Sequence, residues 1–531
     1  MSGRCLIFAY AMLNALAYSL LLPLWEGFDE PFHFAYAQTL ANGGGFPDPR
    51  SSTLSAEAAS AVLLAPASIS VKTNLPAVAS YDDFFRAPDS ERARVHGELL
   101  RIDPQLRKQP SPFLNYEAHQ PPLAYAILAL PEAAMARIPL PYRVLALRVS
   151  GAAMGVVLLL AAAGRLTRQL GIPPPFAEAV VFVALSSQML WATLAHVAND
   201  WLAVPLALWL IVLTIEYYNK PAARRIAAAG AVLALGLLAK AYLLAFVPVL
   251  AAICVARKRW RDLAVAAAIV AALAGPWYAR NVARYSILTA IPEIRQGARP
   301  AAALEDLRLK RVPAAIEASA RSALWTGNNT FRAFSKATLR ILLAVWAAAL
   351  LLWMAQRHRA AEWIALLYSS AFFAALLYDA AINDAVSHGE NVNPAPWYAQ
   401  PLLVPILSLA FLGAARGRAL GKWIASAMVL LSGYVLIATY WAKLIPLYSG
   451  FEARATMAAL IRLYRQPSQV AHGLAAICFA PPAAILSLAL MVCLVAIGEA
   501  ALLARSIARG AAPTLYRRYF RRLRSERSRY P

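Results

Sequence analysis

Charge is scarce in this sequence. Only 15% of the residues are Asp, Glu, Lys or Arg, while 60% are hydrophobic. A soluble domain carries about a quarter charged residues and interrupts its apolar runs more often, so an ordinary soluble fold is excluded. Acidic residues are scarcer still: 28 Asp and Glu stand against 51 Lys and Arg, a net charge of +23. Cysteine is almost missing. Cys5, Cys254, Cys478 and Cys493 all fall in apolar segments. Their spacing suits neither a disulfide framework nor a metal site, and they read as small core hydrophobes. No tandem repeat, low-complexity linker or zinc signature is visible.

What is present is a succession of apolar windows of about 17–25 residues, the mark of a polytopic membrane protein. Windows of that length predict an α-helical bundle, since barrel strands alternate over shorter segments. Candidate spans cover roughly 5–24, 142–163, 175–195, 199–217, 225–239, 241–256, 263–279, 338–356, 361–380, 397–414, 422–443 and 476–504, about twelve helices. The fifth and sixth are short enough to be one kinked helix. Arg4 opens the first run, which continues through Ser19-Leu20-Leu21-Leu22, past the usual length of a signal core, so an uncleaved helix is expected.

The basic residues are not spread as a nucleic-acid surface would spread them, and no nucleic acid is expected as a partner. They gather in short segments: Arg165 and Arg168; Lys220, Arg224 and Arg225; Arg257, Lys258 and Arg259; Arg357 and Arg359; Arg416, Arg418 and Lys422; and a tail from Arg517 to Arg529. With about twelve spans and both termini cytoplasmic, all of these share one side, as the positive-inside rule requires. The long segments 25–141, 280–337, 381–396 and 444–475 then face the periplasmic side of an inner membrane. The first is the largest, and its 123–135 stretch after Pro121-Pro122 reads as an interfacial helix. The tail suits anionic membrane lipids.

Polar clusters sit where the chain leaves the membrane. If "FDEPFHFAYAQ" is helical, Asp29 and His33 share a face with Glu30 beside them, a general base with a tuning neighbour. The bland alternative is a solvated helix end, though ionisable clusters at membrane depth usually have a task. "NYEAHQPP" offers Glu117, His119 and Gln120 on the same side. "AHVANDWLA" holds His196, Asn199 and Asp200, for which helix capping is the simpler reading. Lys240 lies between two apolar stretches with no acid nearby in sequence, either snorkelling or facing an anion. Arg280, Asn281 and Arg284, with Arg143 and Arg148, break the positive-inside pattern and together suit an anion-binding patch, although each alone reads as an anchor. Trp397 and Tyr398 are belt aromatics or a sugar-stacking platform. Asp379, Asp384, His388 and Glu390, and Trp325 with Asn328 and Asn329, have no diagnostic spacing.

Two of these stretches carry a resemblance. "FDEPFHFAYAQTLANGG" resembles the Asp-Glu motif that opens the first outer loop of the C-type (GT-C) glycosyltransferase superfamily, and is especially similar to bacterial polytopic relatives of protein O-mannosyltransferases. "YEAHQPPLAYAILALP" resembles the element that ends that loop, and "ANDWLAVPLALWL", "LLAKAYLLAFVP" and "PWYARNVARYS" follow in the family's order. The resemblance covers roughly 5–415. It implies a GT-C-like transmembrane catalytic module over 1–443 including the outer segments 25–141 and 280–337, a C-terminal outer segment and last helix over 444–504, and a basic tail over 505–531. It implies a transferase taking a sugar from a polyprenyl-phosphate donor to a glycan, lipid or protein acceptor. By that resemblance Asp29 stands at the catalytic acidic position and Glu30 is its companion; Glu117 and His119 fall in the second motif, and Lys240 and Arg280 near the donor phosphate. Arg284-Tyr285-Ser286 stands where the family usually has Gly-Asp, and no arginine accompanies Trp397.

The chemistry suits these residues independently. A sugar C1 on phosphate already has a leaving group, so what is needed is a base for the acceptor hydroxyl and cations for the departing phosphate. Asp29 fills the first role; Lys240, Arg280 and Arg148 the second, with the Asn281 amide beside them on the phosphate; His33, Glu117, His119, Gln120, Asn199, Asp200 and Tyr398 line the substrate. No cofactor is required; Mg or Mn on Glu30, His33 or Glu117 is compatible but not demanded. The rival from another class is a transporter or flippase of a lipid-linked or anionic substrate, which would want mid-membrane charges and two related halves. A non-catalytic scaffold leaves the acid–His clusters without a task.

Overall fold

The structure, a computed structural model, describes residues 3–68, 78–289, 312–324, 334–386, 396–451 and 456–510. The tail arginines, Trp325, Asn328, Asn329, His388 and Glu390 lie outside the described residues. Helix α1 (Gly3–Leu21) leads into the long first segment. That segment holds α2 (Glu30–Ala41), α3 (Ala56–Leu64), α4 (Tyr81–Arg86), α5 (Asp89–Arg101) and α6 (Leu123–Ala134). Two short strands, β1 (Thr53–Ser55) and β2 (Pro110–Leu114), pair antiparallel within it. The bundle continues through α7 (Leu140–Gln169), α8 (Pro174–Leu185), α9 (Gln188–Leu194), α10 (Asp200–Asn219), α11 (Ala223–Ala239), α12 (Val247–Ala256), α13 (Trp260–Leu273) and α14 (Gly275–Tyr285). It closes with α15 (Val312–Leu324), α16 (Lys336–Met354), α17 (Ala360–Val386), α18 (Gln400–Arg416), α19 (Arg418–Ala438), α20 (Ile445–Tyr448), α21 (Met457–Tyr464), α22 (Pro467–Ile477) and α23 (Pro482–Arg509).

The fold is all-α, and among the described residues seven helices are long and apolar enough to cross a membrane. The number rises to nine if each of two bent pairs is one span: α8 with α9, bent by 64°, and α13 with α14, bent by 58°. The chain is therefore a multi-pass membrane protein. The expected count of about twelve also took in α1, α11 and the 241–256 stretch, which are helical but fall outside those nine. Among those, 241–256 begins as a 3-10 turn, Ala241–Phe246, before it becomes α12.

Helix α10 packs on α7 and α11, α16 on α18, and α23 on both α19 and α1. In lipid, close backbone approach replaces the hydrophobic drive between helices. Gly155 on α7 shows the reason for a small residue: a Cβ there would sit 2.6 Å from the Trp201 carbonyl. Three cysteines, Cys254, Cys478 and Cys493, are buried as expected, but Cys5 is exposed on α1.

The first segment is tied to α7 by buried charge. Arg143 donates to Glu57 of α3 and Glu132 of α6, and to the Ile138 carbonyl. Arg107 lies 3.3 Å from the same Glu132, and Gln38 of α2 donates to Glu57 at 2.8 Å. Both Arg143 and its two acids are fully buried. Arg143, grouped above with an anion-binding patch, is thus a fastening between helices: leaving any of these charges unmatched would cost several kcal/mol, roughly 3–5.

Candidate active site

The turn between α1 and α2 is where the polar clusters meet. It contains two left-handed residues, Trp25 at φ 66° and Asp29 at φ 54°. Asp tolerates that region, but a bulky Trp rarely does, and such strain persists only where surrounding contacts over-determine it. Helix α2 starts at Glu30, with Pro31 in its first turn, and Asp29 is its N-cap residue rather than part of the helix. The expectation that Asp29 and His33 share a helical face therefore fails at its first residue: the left-handed turn swings Asp29 away.

Arg148 holds the turn from α7. Its guanidinium takes both carboxylate oxygens of Glu30 and the carbonyls of Leu22 and Pro23. Glu30 also accepts from the Val197 amide at 3.0 Å. Burial alone would raise the Glu30 carboxyl, but Arg148 beside it holds it below the usual carboxylate range. Four of the five guanidinium N–H groups of Arg148 are engaged in this way, so the residue the sequence assigned to the phosphate locks Glu30.

Asp29 is only partly exposed and accepts a hydrogen bond from the Tyr116 hydroxyl. Burial raises its carboxyl above the ordinary range, against the opposing pull of Tyr116 and of the nearby Lys240 ammonium. Tyr116 stands on the 3-10 turn Tyr116–His119, its ring packed on Phe32 at 4.3 Å. A polar chain runs inward from there. His119 Nδ1 lies 2.6 Å from the Tyr116 carbonyl, and because a carbonyl only accepts, that nitrogen carries the hydrogen. Gln120 donates to His119 Nε2 at 3.2 Å, and Asn199 donates to Gln120 and to the Ala239 carbonyl, both at 3.0 Å. Asn199, for which capping was the simpler reading, makes no side-chain cap bond; it links α10 to the second motif.

Lys240 turns inward. It occupies an extended residue where α11 breaks off, and its ammonium meets Asp200 at 2.6 Å. The rings of Tyr398 and Tyr242 lie 5.0 and 5.4 Å from its Nζ. Phe28, next to Asp29, stacks on Trp397 at 4.2 Å. The structure thus gathers Asp29, His119, Gln120, Asn199, Asp200, Lys240 and Tyr398 around one spot, with aromatic rings on its flank.

Other expected residues lie around it. His33 meets the Tyr125 hydroxyl at 2.7 Å and Glu117 at 3.7 Å; burial holds it well below the usual imidazole range, so it is neutral. Arg280 is half-buried, over the rings of Trp277 and Tyr285 and 3.4 Å from the Pro47 carbonyl. Its charge also acts on Tyr36, whose hydroxyl donates to the Gln120 carbonyl. Among the described residues no carboxylate pairs with Arg280. Asn281 donates to the Leu288 carbonyl and is buried. Among the described residues no three of His, Cys, Asp and Glu converge as metal ligands; Glu30 is engaged by Arg148 and His33 by Tyr125. Tyr116 lies inside "NYEAHQPP" but is uncharged at neutral pH, and nothing in its sequence neighbourhood marks it as the partner of Asp29.

No family model and no curated protein matches the chain. Among solved structures it is similar to crystal structures of ArnT from Cupriavidus metallidurans, one bound to undecaprenyl phosphate and one in the apo state. The TM-scores are 0.47 and 0.46, with 13% sequence identity over 96% of this chain and 78% of that chain in each case.

Proposed function

We propose that this chain is a membrane glycosyltransferase that moves a sugar from a polyprenyl-phosphate donor to an acceptor hydroxyl. The observation that carries the reading is Asp29: a partly exposed carboxylate already holding a hydroxyl, that of Tyr116, close to the Lys240 ammonium. The donor class follows from the motif resemblance of the "FDEP" and "YEAHQPP" stretches.

In this reading the acceptor hydroxyl replaces Tyr116 on Asp29. The acceptor oxygen forms a bond to the sugar C1 while the bond from C1 to the phosphate oxygen breaks. The proton passes to Asp29, and polyprenyl phosphate leaves with the bonding pair. One displacement inverts the anomeric centre. Lys240 and Arg280 face the phosphate: the first is held ready between two aromatic rings, the second lacks a carboxylate partner among the described residues. Cations aimed at developing charge are usually the largest catalytic contribution. Arg148 and Glu30 set the geometry, and no step is routed through a metal ion.

The test is incubation of the purified protein with radiolabelled polyprenyl-phosphate hexose or pentose and a panel of glycan, lipid and peptide acceptors. Label moving to an acceptor with inverted configuration is the expected result. Label that crosses a sealed vesicle unchanged, with none transferred, would establish the transporter instead.

A further inference from the structure

The turn that presents Asp29 has a second fastening that the reaction does not use. Glu26, three residues ahead of Asp29, is 1% exposed. It accepts from the Tyr81 hydroxyl at 2.6 Å and from the Tyr448 hydroxyl at 3.2 Å. The two phenol rings meet edge-on at 6.0 Å. They come from regions far apart in the chain. Tyr81 opens α4 in the first segment, and Tyr448 ends α20, after the π turn Thr439–Leu444. The same two regions touch again through Asp89 and His472, 3.1 Å apart, and through the stacked rings of His96 and Phe479.

A buried carboxylate is an expensive way to fill space, since an apolar side chain would pack there without losing hydration. What a carboxylate with two aimed donors adds is direction. Arg148 grips the turn on either side of Glu26, at Leu22, Pro23 and Glu30. Glu26 grips its middle, between the strained Trp25 and Asp29.

We infer that Glu26 is a positioning residue for Asp29, and that through Tyr448 the C-terminal part of the chain governs transfer. The inference rests on the glycosyl-transfer reading. It makes the C-terminal part, which carries little of the motif resemblance, a determinant of the chemistry and more than a membrane anchor.

The experiment compares wild type, Glu26→Gln, Tyr448→Phe and a control, Thr214→Val. The control removes an equally buried hydrogen bond, that between Thr214 and Tyr368 at 2.9 Å. Two readouts are taken on the full-length protein: hydrogen exchange of the amides in 22–30, and the pH profile of donor turnover. Both test variants are expected to lose exchange protection in 22–30. Their kcat falls about 10- to 100-fold, the cost of misplacing a reacting group by about an ångström, while the donor KM stays within about twofold, and the acidic limb of the kcat profile moves to lower pH. The control keeps its exchange pattern and pH limb. Unchanged exchange in both test variants, or a kcat that tracks melting temperature as in the control, would overturn the inference. If wild type transfers no sugar, the glycosyl-transfer reading fails, and the exchange data decide the role of Glu26 alone.

Discussion

Gly27 lies directly beneath His196: a Cβ built on Gly27 would stand 2.5 Å from the His196 Cβ. The imidazole fills the space between the Asp29 turn and the break before α10, edge-on to Phe28 at 6.2 Å. A methyl group there has nowhere to go. Gly27→Ala is expected to cost about 1–3 kcal/mol, the usual range for overpacking. It should also depress transfer, since the displaced turn carries Asp29 two residues on. Thermal unfolding in detergent and the donor assay check both halves; a variant with wild-type melting would refute the close fit.

The Glu30–Arg148 pair makes a different prediction. Both side chains are essentially fully buried. Arg148→Met leaves a carboxylate stranded and should destabilise the protein by about 3–5 kcal/mol, whereas Glu30→Gln/Arg148→Met should recover a large part of the loss. Additive losses in the double variant would show that the pair is not the fastening described.

Asp29→Asn retains the shape and a hydrogen-bond acceptor for Tyr116 but cannot take a proton. Transfer should fall by at least about a hundredfold, the range for loss of a general base, with melting unchanged. The pH profile carries a sign. Burial raises the Asp29 carboxyl, and in the proposed reaction only the ionised form acts. Activity should therefore fall on acidification at a pH above the ordinary carboxylate range, which is near 4. Activity that persists undiminished through that range would place the base elsewhere.

Stability should respond to acid through the histidines. Burial pushes the His196 imidazole down to about 4, and His33 is lowered in the same direction. Unfolded histidines take up protons near pH 6.5. Between about 6.5 and 4 the unfolded state therefore binds more protons than the folded one, and stability falls as the pH drops. His196 contributes up to about 3 kcal/mol over that interval. Melting temperatures across it should decline, and His196→Gln should flatten the slope.

Hydrophobic windows made the bundle legible: 142–163 lies inside α7, and 361–380 inside α17. Bends were not, because Ser186-Ser187 and Ala274 look like ordinary polar or small interruptions until the two half-helices are seen at an angle. Among site residues, Asp29 and Lys240 declared themselves as charges out of place. The acid that matches Lys240 was already in view as Asp200, but nothing in one dimension joins residues forty positions apart. Glu26, Tyr81 and Tyr448 were illegible for the same reason, more severely. A lone Glu beside a Trp at a membrane edge is unremarkable until phenols from both ends of the chain close on it. Hydropathy reports which segments are buried; it is silent on which polar atoms find one another once they are.

Lys240 and Asp200 leave the site electrically balanced before any donor arrives. In the proposed reaction an incoming phosphate would add negative charge beside Asp29 and Asp200, with Lys240 and Arg280 as the cations that face it. Lys240 would have to loosen its hold on Asp200 to meet that phosphate. The lysine is thus shared between a resident carboxylate and a visiting anion.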